Sequence, residues 1–284
     1  MGTLYQEARE ALRTSAFHPK KRLGQNFLIH EGVIEAILRL VDLSQDDEIV
    51  EIGPGLGFLT RRLVEVARKV WAVEVDPFLV EWLARSPLQN HAAFHLIHDD
   101  ILKVRLTDFL PSHKVKLVAN LPYSISTPVL FRLFEFRGCF SLLVLMVQRE
   151  VAERMTASPG TKSYGTLSVW CQIHGQILDK VAASPEAFFP RPKVKSTVLK
   201  IGLYPEPLAP LEDLPFLRKV VRAAFGQRRK TLANALGRLL NRGKEQTERY
   251  LQQEGIDPRR RGETLSVDEF IRLARALKRS AAES

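Results

Sequence analysis

The chain has 284 residues, 45% of them hydrophobic, with a net charge of +10, a pI of about 9.7 and two cysteines. That is ample for one large domain, or one large and one small, and no apolar run approaches the roughly 20 residues that a membrane helix needs. Cys139 and Cys171 are too few for a disulfide framework or a zinc site and read as small buried apolar residues, so no metal centre is expected.

The stretch from Met1 to Lys21 is mixed polar without an apolar centre, so a secretory signal is not expected and the default setting is cytoplasmic. Apolar runs then predict strands at Glu48–Ile52, Val70–Val75, Phe94–His98, Val115–Ala119, Phe140–Val147, Leu167–His174 and Val194–Ile201. Between the first five lie helical spacings, such as Leu59, Leu63, Val66 and then Leu79, Trp82, Leu83. Strand–helix alternation implies right-handed crossovers and a mostly parallel sheet with helices on both faces. The last two strands lack a long helix between them, which predicts an antiparallel hairpin at one edge. Tyr204-Pro205-Glu206-Pro207-Leu208-Ala209-Pro210 reads as a linker. After it the pattern is helical only: Leu217–Phe225, Thr231–Leu240, Lys244–Glu254 and Ser266–Leu277. Ser266 and Glu269 have capping-box spacing at the start of the last one. The expected domains are 1–206, α/β, and 207–284, smaller and all-α.

Charge follows the same division. Phe216 to Ser284 carries 17 Lys/Arg against 8 Asp/Glu, while the first 215 residues carry 25 against 24. A basic region beside a near-neutral one suits a polyanionic partner.

Ligand-type residues gather at the ends of four consecutive predicted strands. Gly53-Pro54-Gly55-Leu56-Gly57 follows the first, with spacing G-x-G-x-G rather than the G-x-G-x-x-G of dinucleotide sites. Glu74 ends the second, where a carboxylate can accept both hydroxyls of a ribose. Asp99-Asp100 ends the third, where a carboxylate can meet an adenine amino group, and Asn120 ends the fourth. Helix capping would explain any one of these, but not the ordered set. The set resembles the class I S-adenosylmethionine-dependent methyltransferases. The resemblance implies a Rossmann-like sheet with S-adenosyl-L-methionine as cofactor. It places Gly53 and Gly55 against the methionine part, Glu74 on the ribose and Asp100 on the adenine.

Asn120-Leu121-Pro122-Tyr123 has matching chemistry. The amino nitrogen of a base is a poor nucleophile because its lone pair is delocalised into the ring. Two acceptors on its two hydrogens draw it toward a tetrahedral shape and aim the lone pair at a methyl donor. The Asn120 side-chain oxygen and the Leu121 or Pro122 carbonyl can serve. Pro122 stiffens the loop, and Tyr123 offers a stacking face worth roughly 1–3 kcal/mol per base. A base held in a duplex would first be flipped out. The tetrad resembles the [Asn/Asp]-Pro-Pro-Tyr amino-group methyltransferases, and Leu121 resembles the branch that methylates ribosomal RNA adenine N6.

The resemblance spans about residues 18 to 278. Lys21-Arg22-Leu23-Gly24-Gln25-Asn26-Phe27-Leu28 resembles the branch's N-terminal signature and implies that Asn26 and Leu28 contact the cofactor. Ala187-Phe188-Phe189-Pro190-Arg191-Pro192-Lys193-Val194-Lys195-Ser196 resembles its Phe-x-Pro-x-Pro-Lys-Val-x-Ser segment and implies that Phe188 is a second stacking face opposite Tyr123. Phe225 to Leu232 and Arg261 to Phe270 resemble the small-subunit dimethyltransferases rather than the enzymes of macrolide resistance. That implies dimethylation of two neighbouring adenosines near the 3′ end of 16S ribosomal RNA, within a pre-30S subunit, by a monomer. The run Arg228-Arg229-Lys230 opposes a helix dipole, which makes sense if it meets RNA phosphate and orients the substrate. Ser124, Gly262 and Phe58 depart from the residues usual in the family. A ribosome-assembly role independent of catalysis and a DNA adenine methyltransferase are the competing readings; the C-terminal motifs disfavour the second.

Overall fold

The computed structural model describes residues 3–14, 24–227, 230–240 and 243–282. The chain forms two compact units, Met1–Ala152 with Gln176–Leu203 and Glu153–Gly175 with Tyr204–Ser284.

The first unit runs α1 (Leu4–Thr14), β1 (Phe27–Leu28), α2 (Glu31–Val41), β2 (Glu48–Ile52), α3 (Phe58–Val64), β3 (Lys69–Glu74), α4 (Pro77–Arg85), β4 (Phe94–His98), β5 (Val115–Asn120), α5 (Ser126–Glu135) and β6 (Phe140–Gln148). After α6 (Arg149–Met155) and α7 (Thr166–His174), the chain adds β7 (Gly175–Ala183), β8 (Phe188–Phe189) and β9 (Ser196–Leu203). The main sheet has the order β4-β3-β2-β5-β6-β9-β7. Pairs from β4 to β6 are parallel, and β9 lies antiparallel to β6. From β2 the chain builds outward through β3 to β4, then returns to place β5 on the other side of β2. Open α/β sheets bind ligands beyond the strand ends at such a reversal.

The central strands are near-continuous apolar runs because helices cover both faces of the sheet. Ile34, Ile37 and Val41 of α2 and Leu63 of α3 are buried in one cluster with Ile49, Val70 and Ala72 of the strands. Val129, Leu130 and Leu133 of α5 are fully buried as well. Each such side chain contributes roughly 1.5–3 kcal/mol by leaving water. A second, two-stranded ribbon pairs β1 with β8, Phe27 opposite Phe189 and Leu28 opposite Phe188.

The structure differs from the sequence reading at three places. Leu167–His174 is not a strand but lies in α7; Leu167, Val169, Trp170, Cys171 and Ile173 are all buried. Burial all round removes the polar face that marks a helix, so the run reads like a buried strand. The expected antiparallel edge is present, with β9 beside β6, but its last strand is the unpredicted β7 rather than Leu167–His174. The break expected after residue 206 is also drawn differently. Glu153–Gly175 belongs to the second unit, which the chain re-enters at Tyr204, beside the proline-rich segment.

The second unit holds α7, α8 (Leu214–Gly226), α9 (Leu232–Leu240), α10 (Lys244–Gln253) and α11 (Val267–Ala282). The Phe225 ring lies 5.8 Å from Tyr164 and 5.7 Å from Phe270. The capping box is formed: Ser266 Oγ accepts from the Glu269 N–H at 3.2 Å, and Glu269 Oε2 accepts from the Ser266 N–H at 2.8 Å. Gly262 is buried where a Cβ would stand 2.8 Å from the Ala224 carbonyl oxygen, so its lack of a side chain permits the close approach to α8. Among the described residues, no helix is long and apolar enough to cross a membrane.

Candidate active site

Beyond the C-terminal ends of β2 to β5 lies an open cleft of about 1100 Å³, adjoining solvent space included. Gly24 to Leu28, Gly53, Gly55, Glu74, Asp99, Asp100 and Asn120 to Ile125 are among the residues that line it.

Backbone constraints build the first wall. Gly53, Gly55 and Gly57 have φ of +70°, +60° and +84°, a region that side chains disfavour. A Cβ at Gly55 would also stand 3.0 Å from the Phe27 ring, which would have to give way by a few tenths of an ångström. Glu74 stitches the loop to the end of β3. Its Oε2 accepts from the Gly55 N–H at 3.3 Å, and its Oε1 accepts from Val75 and Asp76 at 3.0 and 2.9 Å. Burial raises its pKa, opposed by these three N–H groups. Oε1 has both lone-pair sites taken, while Oε2 carries one N–H and keeps a site for a hydroxyl.

Asp76, not Glu74, caps α4, accepting from Phe78 at 3.1 Å with Pro77 as the first helical residue. Its other oxygen accepts from Gln25 Nε2 at 2.8 Å, which ties the N-terminal segment to β3. Asp100 accepts locally from the Leu102 N–H at 2.9 Å, a turn contact compatible with its place in the cleft wall.

The fourth strand end carries the Asn120 loop. Asn120 Nδ2 donates to the Asn26 carbonyl at 3.1 Å, while Asn26 Nδ2 donates to the Gly24 carbonyl at 2.9 Å. The Asn120 amide thus donates to backbone and keeps Oδ1 as an acceptor. The Leu121 N–H donates to Met146 at 3.0 Å, and the Pro122 carbonyl accepts from Ile125 at 3.1 Å. Of the two carbonyls considered from sequence, Leu121 is therefore the one whose oxygen is left over among the described residues. Tyr123 is half-buried, and its hydroxyl lies 2.7 Å from Ser196 Oγ. Burial raises the Tyr123 pKa, partly opposed by Ser196. Ser124 Oγ would lie 3.5 Å from a Cβ on Gly24, so this departure packs where the N-terminal segment meets the loop.

Phe188 does not join the cleft lining. It is 2% exposed and packed in the apolar cluster, so the expected second stacking face opposite Tyr123 is not presented by its ring. Phe58, another departure, is buried at the start of α3 and lines the cleft. Lys230 is exposed just ahead of α9; Arg228, Arg229 and Lys21 to Leu23 lie outside the described residues.

Glu51 is the residue that sequence reasoning passed over. It lines the cleft at the end of β2, 2% exposed, with Oε2 lacking a hydrogen bond among the described residues. Burial pushes its carboxyl up to about 7, with Thr60 opposing and the Glu74 charge adding to the rise. A carboxyl inside an apolar strand, immediately before a glycine loop, was the available signal. Glu51, Glu74 and Asp100 give the cleft the acidic, hydroxyl-accepting lining that suits a cationic nucleoside.

The switch-point cleft, the glycine loop and the carboxylates of successive strands define a class I methyltransferase. The dimethyladenosine transferase of Plasmodium falciparum shares the fold, with TM-score 0.73 and 23% identity over 89% of this chain and 97% of that one. The 23S rRNA methyltransferase ErmE follows with TM-score 0.66 and 25% identity over 89% and 100%. The ribosomal RNA adenine dimethylase family matches residues 16–279, and the chain belongs to that family, whose methyl donor is S-adenosylmethionine. It is 43% identical to ribosomal RNA small subunit methyltransferase A of Clostridium botulinum over 94% of this chain and 96% of the relative. The same-named protein of Syntrophotalea carbinolica is 45% identical over 92% and 97%.

Proposed function

We propose that this protein dimethylates two adjacent adenosines near the 3′ end of 16S ribosomal RNA, acting as a monomer on a cytoplasmic pre-30S particle. One observation carries the reading: four neighbouring strand ends bring a glycine loop, two carboxylates and the Asn120 loop to a single cleft. Membership of the adenine dimethylase family and the names of the relatives support the choice of substrate.

S-adenosylmethionine supplies an electrophilic methyl group. Gly53 and Gly55 let the backbone approach its methionine part, with Asn26 and Leu28 on the facing segment. Glu74 accepts from the ribose hydroxyls and Asp100 from the adenine amino group. Glu51, buried among these groups, is a further carboxyl whose ionised form a positive ligand favours. For the substrate base, Asn120 Oδ1 and the Leu121 carbonyl accept the two amino hydrogens and so expose the nitrogen lone pair. Pro122 holds the loop, and the base stacks on Tyr123. Positioning against an activated donor supplies most of the rate. Lys230, with Arg228 and Arg229, contacts phosphate and orients the particle without reading sequence.

The test is to incubate the protein with methyl-labelled cofactor and undermethylated small subunits, then map the modified nucleotides. Two adjacent N6,N6-dimethyladenosines are expected. Label on the large subunit, or equal activity on a short hairpin, would overturn the assignment.

A further inference from the structure

We infer that Ser196 is a positioning residue for methyl transfer, holding the Tyr123 ring in the orientation on which the substrate base stacks. The inference rests on the reading of Tyr123 as the stacking face. A tyrosine on a loop has two ways to lose its place: the loop can shift, and the side chain can swing about χ1 to another rotamer. The structure closes both.

The loop is held by the Leu121 N–H on the Met146 carbonyl of β6 and by the Pro122 carbonyl, which accepts from Ile125. The far end of the ring is held by the 2.7 Å contact between the Tyr123 hydroxyl and Ser196 Oγ. Ser196 is itself fixed. It is 1% exposed and opens β9, opposite Gln148 of β6. The preceding Lys195 carbonyl accepts from the Arg149 N–H at 2.9 Å. Met146, which receives the Leu121 N–H, pairs with Val198 two residues along the same ladder. Loop, ring, Ser196, β9 and β6 therefore form a closed circuit, in which sheet register sets the distance between the two ends of Tyr123.

The bond is tested from both ends, with Ser196→Ala, Tyr123→Phe, the double variant and Tyr123→Ala as the reference for loss of stacking. Initial rates on undermethylated small subunits give kcat and KM, and titration with S-adenosylhomocysteine gives cofactor affinity. Ser196→Ala and Tyr123→Phe should each lower kcat about tenfold, with the KM for particles unchanged, because phosphate contacts govern binding. The double variant should also lose about tenfold rather than about a hundredfold, since both changes break one bond. Cofactor affinity should stay within about twofold. Tyr123→Phe leaves β9 untouched and keeps the test decisive if Ser196→Ala misfolds. Wild-type kcat in Ser196→Ala or Tyr123→Phe, an additive double variant, or a parallel loss of cofactor affinity overturns the inference. If Tyr123→Ala is as fast as wild type, the stacking reading falls and takes the inference with it. If Tyr123→Ala is slow and Ser196→Ala is not, the role of Ser196 alone is wrong.

Discussion

Two carboxyls, Glu51 in the sheet unit and Glu269 in the helical unit, meet opposite treatment. Glu51 ends a central strand with one oxygen unpartnered, and burial pushes it up to about 7. Glu269 sits in the first turn of α11, accepts from the Ser266 N–H and pairs with the Arg260 guanidinium at 2.5 and 3.0 Å. That pairing holds it down to about 2. Glu269 has its charge and hydrogen bonds met by Arg260 and Ser266 of its own unit. Glu51 is left incompletely satisfied where its strand ends, and there a ligand can complete it. Positive-φ glycines and the Asn120 loop cluster at the same place.

The contrast can be broken most severely at Asn120. Asn120→Ala should cut methyl transfer at least about 1000-fold, roughly 4 kcal/mol, as for loss of a dedicated transition-state contact. Cofactor affinity, read by calorimetry, should stay within about threefold, because the cofactor's other contacts remain. Retained turnover would remove Asn120 from its acceptor role.

Glu51→Gln sharpens the contrast through pH. The carboxyl titrates near 4.5 when free and near 7 when buried, so the folded state holds an extra proton between those values. Cofactor-free stability therefore falls as pH rises through this window, levelling above it at a cost of about 3 kcal/mol. The Gln variant escapes that cost. Urea unfolding should show it gaining on wild type between pH 5 and pH 8, and a pH-independent difference would contradict the buried charge.

In the helical unit the corresponding damage is steric. Gly262→Val places a Cβ against the Ala224 backbone. Overpacking of this kind costs about 2 kcal/mol, or roughly 5 °C in Tm, and should leave cofactor affinity unchanged. Unaltered melting would show that α8 yields easily.

The smallest effect is expected at Glu269. Its folded pKa is depressed, so its contribution is present above pH 4.5 and is lost as pH falls toward 2. Glu269→Gln should cost about 1 kcal/mol at pH 7 after allowance for solvent screening. The difference should vanish by about pH 2, opposite in direction to Glu51→Gln.

Much of the site was legible because its chemistry is written at strand ends. Gly53, Gly55, Glu74, Asp100 and Asn120 each follow an apolar run, and parallel topology delivers such ends to one edge. The sequence could not separate a residue that faces a ligand from one that supports it. Phe188 carries the right side chain in the right motif, yet pairing with Leu28 turns it into core. Gln25 and Ser196 act through partners far along the chain, Asp76 and Tyr123, and no local spacing encodes such bonds. In the fold, α7 was misread because it has no polar face. β7 was missed because it follows α7 without a turn and is largely exposed.

The ribbon of β1 and β8 also sets when the site can exist during synthesis. Phe27 and Phe189 are paired neighbours in space, but nearly the whole sheet unit is made between them. Closing so long a loop costs entropy, which only the completed sheet repays. A growing chain that has not reached Phe188 and Phe189 can tie Gln25 to Asp76 and Asn26 to Asn120, but Phe27 and Leu28 lack their ribbon partners. That wall of the cleft is therefore completed late, and a truncated chain has no shorter route to it.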